Sequence, residues 1–297
     1  MSHHEPLVTI GPDAKDEEEH RLRQRMARIR RRLVVVSGKG GVGKSTAAAN
    51  LAVALSSRGH RVGLLDVDIH GPSIPKILGC EGASPISDGQ SILPVEVRDR
   101  LALMSIGFLI GNKADAVIWR GPMKFKVIQQ FLCDVAWGDL DYLVVDCPPG
   151  TGDEPLSVAQ LIGRPAAAVV VTTPQELAIA DVRRCITFCQ KADLPIAGVL
   201  ENMSGYVCPQ CGVHTDLFGT GGGERLSQEM SVPFLGRIPI DPRIVGCGDA
   251  GSCLLEAHPE SPAAQSYFSL ADRLHEQEDL WSGAAAAAAL ASREAPQ

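Results

Sequence analysis

Aromatic residues are scarce in this chain, at 4% of 297 residues. Its core must therefore be aliphatic, and the plentiful Gly, Ala and Val suit closely packed α/β layers. Positive charge is in deficit: 28 Lys and Arg against 35 Asp and Glu leave a net charge of −7, which argues against a general nucleic-acid-binding surface. No apolar run reaches the length of a membrane span. Met1 to Glu19 is polar and acidic and has no apolar signal-peptide core. The expectation is a cytoplasmic protein with neither nucleic acid nor membrane as partner. Nine cysteines in such a compartment read as thiols or metal ligands rather than a disulfide framework.

The chain divides into a polar, charged extension over 1–32, a body over 33–276 and an alanine-rich tail over 277–297. Residues 1–20 carry the acidic run Asp16-Glu17-Glu18-Glu19 and read as disordered. Residues 21–32 hold seven arginines and read as a solvated basic helix that balances those acids. The body alternates. Apolar runs at 33–36, 61–66, 101–105, 141–146, 166–171, 196–201 and 234–238 predict strands; 45–57, 123–135, 155–162, 176–191 and 222–230 predict helices. Continuous apolar strands alternating with helices imply a single α/β domain whose mostly parallel sheet is covered on both faces. The tail, Gly283 through Ala291, is low-complexity, and His3 and His4 read as terminal residues without a role.

Gly38-Lys39-Gly40-Gly41-Val42-Gly43-Lys44-Ser45-Thr46 follows the predicted strand at 33–36 and opens the predicted helix at 45–57. Strand, glycine loop and helix form the context of the phosphate-binding pattern G-x-x-x-x-G-K-[ST]. Glycines let successive N–H groups curl around a phosphate, and the helix N-terminus adds positive potential. Lys44 can reach the β- and γ-phosphates of ATP, and the Ser45 hydroxyl can ligate Mg²⁺. Two further strands end in acids, Leu64-Leu65-Asp66-Val67-Asp68 and Leu143-Val144-Val145-Asp146. In a parallel sheet ligands bind beyond the carboxyl ends of the strands, so these carboxylates are candidates for supporting Mg²⁺ beside the loop.

Cys208-Pro209-Gln210-Cys211 lies between a predicted strand and a glycine-rich turn. Two thiolates at this spacing can grip one metal ion or two corners of an iron–sulfur cluster. A zinc site needs four ligands, and His214, Cys247 and Cys253 are possible additions. On the residues alone, zinc and cluster stand level. Cys185 and Cys189, four apart on one helical face, read as small core residues, as do Cys80, Cys133 and Cys147.

The phosphate loop with its extra Lys39 resembles the deviant Walker A class, to which MinD, ParA and the nitrogenase iron protein belong. Within that class the chain resembles the Mrp/ApbC-type iron–sulfur cluster carriers. The likeness rests on Asp66-Val67-Asp68-Ile69-His70-Gly71-Pro72-Ser73, Trp119-Arg120-Gly121-Pro122-Met123 and Asp146 through Glu154, followed by Glu201-Asn202-Met203-Ser204, Cys208 to Cys211, Phe218-Gly219 with Gly221-Gly222-Gly223, and Pro233 through Pro242, over roughly 25–260. The resemblance implies a slow ATPase that assembles or carries a [4Fe–4S] cluster as a homodimer and delivers it to apo-proteins, with scaffold proteins as further partners. It implies that Lys39 reaches the phosphates of the partner subunit's nucleotide, that Asp68 positions the attacking water, and that Asp66 and Asp146 stand by the Mg²⁺. It implies that Asn202 reads the adenine edge while Pro239 and Asp241 line the base, and that two Cys208/Cys211 pairs face each other to supply four thiolates to one cluster. No cysteine precedes Cys80, so the ferredoxin-like N-terminal motif of some relatives is missing. A positioning ATPase of the ParA or MinD type is the rival reading. Trp119 to Met123 acquires no role at this level.

Overall fold

The computed structural model describes residues 12–109, 121–208 and 210–281. His3, His4, Trp119, Arg120 and the stretch Gly283 to Ala291 lie outside the described residues. All seven predicted strands are present, and with an eighth outside the predicted set, Val95–Arg98, they form one eight-stranded sheet. Its order is Phe234–Arg237, Ile196–Glu201, Ala166–Thr172, Ile29–Ser37, Leu140–Asp146, Val62–Asp66, Leu101–Ser105, Val95–Arg98. All neighbours run parallel except the edge strand Val95–Arg98, which pairs antiparallel with Leu101–Ser105. The first strand from Leu33 onward and the strands Val62–Asp66 and Ala166–Thr172 are buried and largely apolar, as strands covered on both faces must be. One face is packed by helices Lys44–Ser57 and Pro262–Glu276, the other by Gly121–Cys133 and Glu176–Lys191. Cys147, Cys185 and Cys189 sit fully buried in the second of these layers.

The N-terminal region departs from the sequence expectation. Helix Pro12–Ala27 takes up the acidic run, and the first strand begins at Ile29, four residues before the apolar run. The helix is held against helix Gly121–Cys133 by Arg25, whose Nε donates to the Cys133 carbonyl at 3.2 Å, and by Arg21, 3.5 Å from Asp134. Of the arginines that follow, Arg28 stands in the turn and Arg30, Arg31 and Arg32 in the strand, with partners for Arg28, Arg30 and Arg31 on, or just before, the neighbouring strand Leu140–Asp146. Arg28 meets Asp139 at 2.9 Å and Arg30 meets Asp141 at 3.4 Å. Arg31 donates to the Tyr142 hydroxyl at 2.7 Å.

Arg31 is also part of a clasp on the C-terminal helices. His60 stacks on His275 with ring centres 4.7 Å apart, and the Tyr142 hydroxyl lies 3.0 Å from His275 Nδ1. Burial, then the adjacent His275 and the arginines Arg31 and Arg30, push the His60 pKa below the ordinary 6.5; Asp141 opposes the shift. The unfolded chain therefore takes up this proton first, and the contribution is lost as the pH falls from 6.5 towards the folded value. Thermal melts from about pH 8 to about pH 5 should show the melting temperature dropping over that window, and His60→Phe should flatten the slope. An unchanged slope in that variant would mean that His60 does not carry the effect.

Candidate functional site

The strand Ile29–Ser37 delivers the chain into the phosphate loop, and helix Lys44–Ser57 leads it out. Two of its glycines are obligatory for different reasons. A Cβ on Gly38 would lie 2.4 Å from the backbone of Asp181, so the loop is seated directly on helix Glu176–Lys191. Gly43 has φ +81°, and a Cβ there would lie 2.3 Å from Asn202 Nδ2. No side chain caps the helix that starts after Gly43, and its first turn carries no acid. Its leading N–H groups thus face an anion site with the helix dipole behind them. Gly40 and Gly41 are exposed at the loop's outer edge and Lys39 is half-buried. The Lys39 ammonium is paired with no carboxylate among the described residues.

Lys44 is the buried cation of the site. Its ammonium is 2.6 Å from Asp146 Oδ1, 3.1 Å from Ser45 Oγ and 3.5 Å from Asp68 Oδ2. Burial disfavours the charge, but Asp146 and Asp68 outweigh it and hold the lysine's pKa above the ordinary value. Asp66 and Asp146 lie opposite each other on adjacent strands, and both are fully buried. Asp66 accepts from Ser105 Oγ at 2.8 Å and from the Asp68 N–H at 3.1 Å. Burial and the facing Asp146 push its pKa up to about 8. Asp146 is raised by burial too, with Lys44 pulling against the shift.

Three carboxylates against one ammonium leave the site short of positive charge, and Asp146 Oδ2 is buried without a hydrogen-bond partner. That orphaned oxygen, beside the Ser45 hydroxyl, fits a hydrated divalent cation such as Mg²⁺. In the nucleotide-free, metal-free protein, Asp66→Asn removes a carboxyl whose folded pKa exceeds its unfolded one, so the cost of keeping it protonated in the fold grows as the pH rises from the ordinary carboxylate range towards 8. The substitution should stabilise that form at neutral pH by on the order of 2–4 kcal/mol, while lowering ATP turnover. A melting temperature equal to or below that of the wild type would contradict this.

Asn202 is not presented to solvent. It is 5% exposed, and its Nδ2 donates to the Val42 carbonyl at 2.9 Å. In this structure, then, the residue expected at the adenine edge braces the phosphate loop from below. Pro239 and Asp241 line a cavity of about 200 Å³ together with Tyr206, Val207 and Arg243. The Asp241 carboxylate is engaged there in capping helix Pro242–Asp249 through the Arg243 N–H and in pairing with the Arg243 guanidinium at 2.7 Å.

The residue before Asn202 anchors the cysteine segment. Glu201 is wholly buried and accepts from Ser204 Oγ at 2.5 Å, Gly221 N at 2.9 Å and Gly223 N at 2.6 Å. It thus clasps both ends of the excursion between Ser204 and Gly221. Within that excursion Tyr206–Val207 and His214–Thr215 form a small antiparallel hairpin with the cysteines at its tip. The tip is a tight turn: Gly212 N donates to the Cys208 carbonyl at 2.9 Å and Cys208 N to the Val213 carbonyl at 3.0 Å. Backbone N–H groups of Cys211 and Gln210, with the Cys211 side chain, draw the Cys208 pKa below the ordinary 9.0, which favours the thiolate a metal needs. Cys211 is exposed and Cys208 partly so.

The supplementary zinc ligands do not gather around this pair. Cys253 is buried against Asn50 Oδ1 at 3.6 Å, Cys247 lies on helix Pro242–Asp249, and His214 faces Asp216 at 3.6 Å. Among the described residues no three His, Cys, Asp or Glu side chains stand close enough to hold a metal ion. Three residues that motif reading does not single out also reach the site's edge. Lys124 Nζ lies 2.5 Å from Glu154 and 3.4 Å from His70. Each stands inside or next to a quoted segment, but only the fold brings them together.

A glycine loop seated between a parallel strand and an uncapped helix, with a buried lysine and strand-end aspartates, defines a P-loop nucleoside triphosphatase. The chain belongs to the NUBPL iron-transfer P-loop NTPase family of the ParA group, whose profile matches residues 28–275. It is 47% identical over 249 residues to the iron-sulfur cluster carrier protein of Methanocaldococcus jannaschii, covering 83% of this chain and 86% of that one. It is 50% identical over 241 residues to the cytosolic Fe-S cluster assembly factor NUBP2 homolog of Trichoplax adhaerens, covering 80% and 91%. Among solved structures, the nucleotide-binding protein of Archaeoglobus fulgidus in complex with ADP superposes with a TM-score of 0.70 at 40% identity, over 78% of this chain and 91% of the other.

Proposed function

We propose that this chain binds and hydrolyses ATP with Mg²⁺ and, as a homodimer, carries a [4Fe–4S] cluster that it delivers to apo-proteins. The observation that carries the reading is the exposed Cys208/Cys211 tip, with Cys208 biased towards the thiolate, on a hairpin whose base is tied to the phosphate loop. One chain offers two thiolates there and no third ligand among the described residues, half of what a four-thiolate cluster requires. A two-fold axis through the tips supplies the other half. Val207, Val213, Leu217 and Phe218 are exposed apolar side chains on and beside the same hairpin, which favours burial against a second copy. A zinc site within one chain has no such support.

At the nucleotide, Lys44 exchanges its bonds with Asp146 and Asp68 for phosphate oxygens, and the N–H groups after Gly43 receive the rest of the anion. Ser45, with Asp146 through water, would hold Mg²⁺, which neutralises charge on the β- and γ-phosphates. The freed Asp68 carboxylate orients the attacking water, and the unpaired Lys39 reaches across the two-fold interface to the partner subunit's phosphates. No helix among the described residues is long and apolar enough to cross a membrane. The proposed compartment is the cytoplasm, supported by the Trichoplax relative's description as cytosolic. The test is anaerobic reconstitution with iron and sulfide, followed by metal analysis and sedimentation. The expected product is a brown dimer with about two irons per chain. A monomer holding about four irons, or zinc in place of iron, would refute the bridging arrangement.

A further inference from the structure

The segments Asp66–Ser73 and Asp146–Glu154 leave adjacent strands side by side, and Val67 N still donates to the Asp146 carbonyl at 3.0 Å before they part. Farther out they meet again. Glu154, in the first turn of helix Asp153–Leu161, lies 3.5 Å from His70 Nε2. Between them stands Lys124, from neither segment, with its ammonium 2.5 Å from Glu154 and 3.4 Å from His70. His70 is two residues beyond Asp68, whose Oδ1 accepts the His70 N–H at 3.3 Å. Glu154 is four residues beyond Gly150, whose N–H donates to Ser37 at the root of the phosphate loop at 2.8 Å. The node thus couples the water-side carboxylate to the loop that flanks the phosphates.

Lys124 comes from rigid ground. Helix Gly121–Cys133 is anchored in the core by Ile128, Phe131 and Leu132, and it packs against helix Asp153–Leu161. The side chains of Lys124 and Glu154 are only 17% and 10% exposed. A pair this enclosed is costly to form and costlier to break on one side, which makes it a poor ornament and a good register pin.

We infer that Lys124 is a positioning residue for ATP hydrolysis: by bridging Glu154 and His70 it fixes both nucleotide-facing segments to the core helix and sets Asp68 relative to the phosphates. This also gives a role to Gly121–Met123, the described end of the Trp119–Met123 motif, which begins the helix ahead of Lys124. The inference rests on the ATPase reading above. A misplacement of the water-orienting group by a fraction of an ångström slows the chemical step without loosening the bound nucleotide.

The experiment measures ATP turnover and the affinity for a fluorescent ATP analogue in wild type, Lys124→Met, Lys124→Arg, Glu154→Gln and the Met/Gln double variant, with Lys44→Ala as the inactive reference. The expected result for Lys124→Met is a kcat lowered about tenfold with affinity within about twofold of wild type. Lys124→Arg should recover most of the rate, and the double variant should be no slower than the slower single one, because both break one node. Glu154→Gln keeps the size of the side chain and one acceptor, and it should give the same split, so it decides the matter if Lys124→Met does not fold. Wild-type turnover in the variants, affinity lost in proportion to rate, or multiplicative losses in the double variant would each overturn the inference. Wild-type turnover in Lys124→Met beside an inactive Lys44→Ala leaves the ATPase reading standing; absence of ATPase activity in the wild type overturns both.

Discussion

Lys44→Ala is expected to lower ATP hydrolysis at least about a thousandfold, because on the proposed mechanism it removes the buried cation that would meet the phosphates. The structure adds a second consequence. Lys44 is the counter-ion to Asp146 at 2.6 Å and Asp68 at 3.5 Å, and it restrains the pKa of Asp66 as well. Removing one partner of a buried charge network leaves the others uncompensated, at a cost of about 3–5 kcal/mol if they stay ionised. They need not stay ionised, since Asp66 and Asp146 are already raised by burial and can take up protons. The variant should therefore fold, and its stability should fall as the pH rises, because an acid whose folded pKa lies above its unfolded one favours the folded state only while protonated. Circular dichroism melts at about pH 5 and about pH 8, beside an ATPase assay, test both halves. Near-normal turnover would dismiss the loop as the catalytic cradle; a melting temperature indifferent to pH would dismiss the counter-ion argument.

The nucleotide half of this site is legible in the chain because its signals are local. Gly38 to Thr46 is one contiguous pattern, and the strands ending in Asp66 and Asp146 are apolar runs that stop at a carboxylate. What is not local is their pairing. That Asp66 faces Asp146, or that Lys124 meets Glu154 and His70, depends on strand order and helix placement, which no spacing encodes. The arginine run shows the same limit from the other side. Composition suggests a solvated helix, but Asp141 and Tyr142 on the neighbouring strand meet Arg30 and Arg31 in the sheet, and Asp139 just before it holds Arg28 in the turn. Helix Pro262–Glu276 lies beyond the predicted helices, although its start is written plainly: Ser261 caps Ala264 N at 3.1 Å, Pro262 follows, and Ala263, Tyr267, Leu270 and Leu274 repeat at helical spacing. Asn202 is the subtler case. Its side chain suits a base edge, and only the fold places Val42 within its reach.

The cysteine tip carries the other large expected effect. Replacing Cys208 or Cys211 with Ala should abolish the brown chromophore after anaerobic reconstitution, since a site built from two chains loses two of its four thiolates with each single substitution. Cys247→Ala should leave it, because that residue stands apart on helix Pro242–Asp249. The same variants should lose the cluster-dependent dimer in sedimentation while still hydrolysing ATP, for Glu201 and Asn202 secure the base of the hairpin without help from its tip. The geometry predicts an asymmetry between the two residues. Cys208 is the thiol whose ionisation the turn favours, through the N–H groups of Cys211 and Gln210. Its loss should remove iron outright, whereas Cys211→Ser, which keeps an oxygen donor at the exposed position and leaves the Cys211 N–H in place, should retain a weakened, faster-bleaching cluster. Iron content and the decay of visible absorbance in air measure the difference. If Cys208→Ser and Cys211→Ser behave alike, the turn's preference for one thiolate has no part in holding the cluster. If Cys247→Ala bleaches the protein as fully as Cys208→Ala, the four-thiolate site does not lie on the two-fold axis through the hairpin tips.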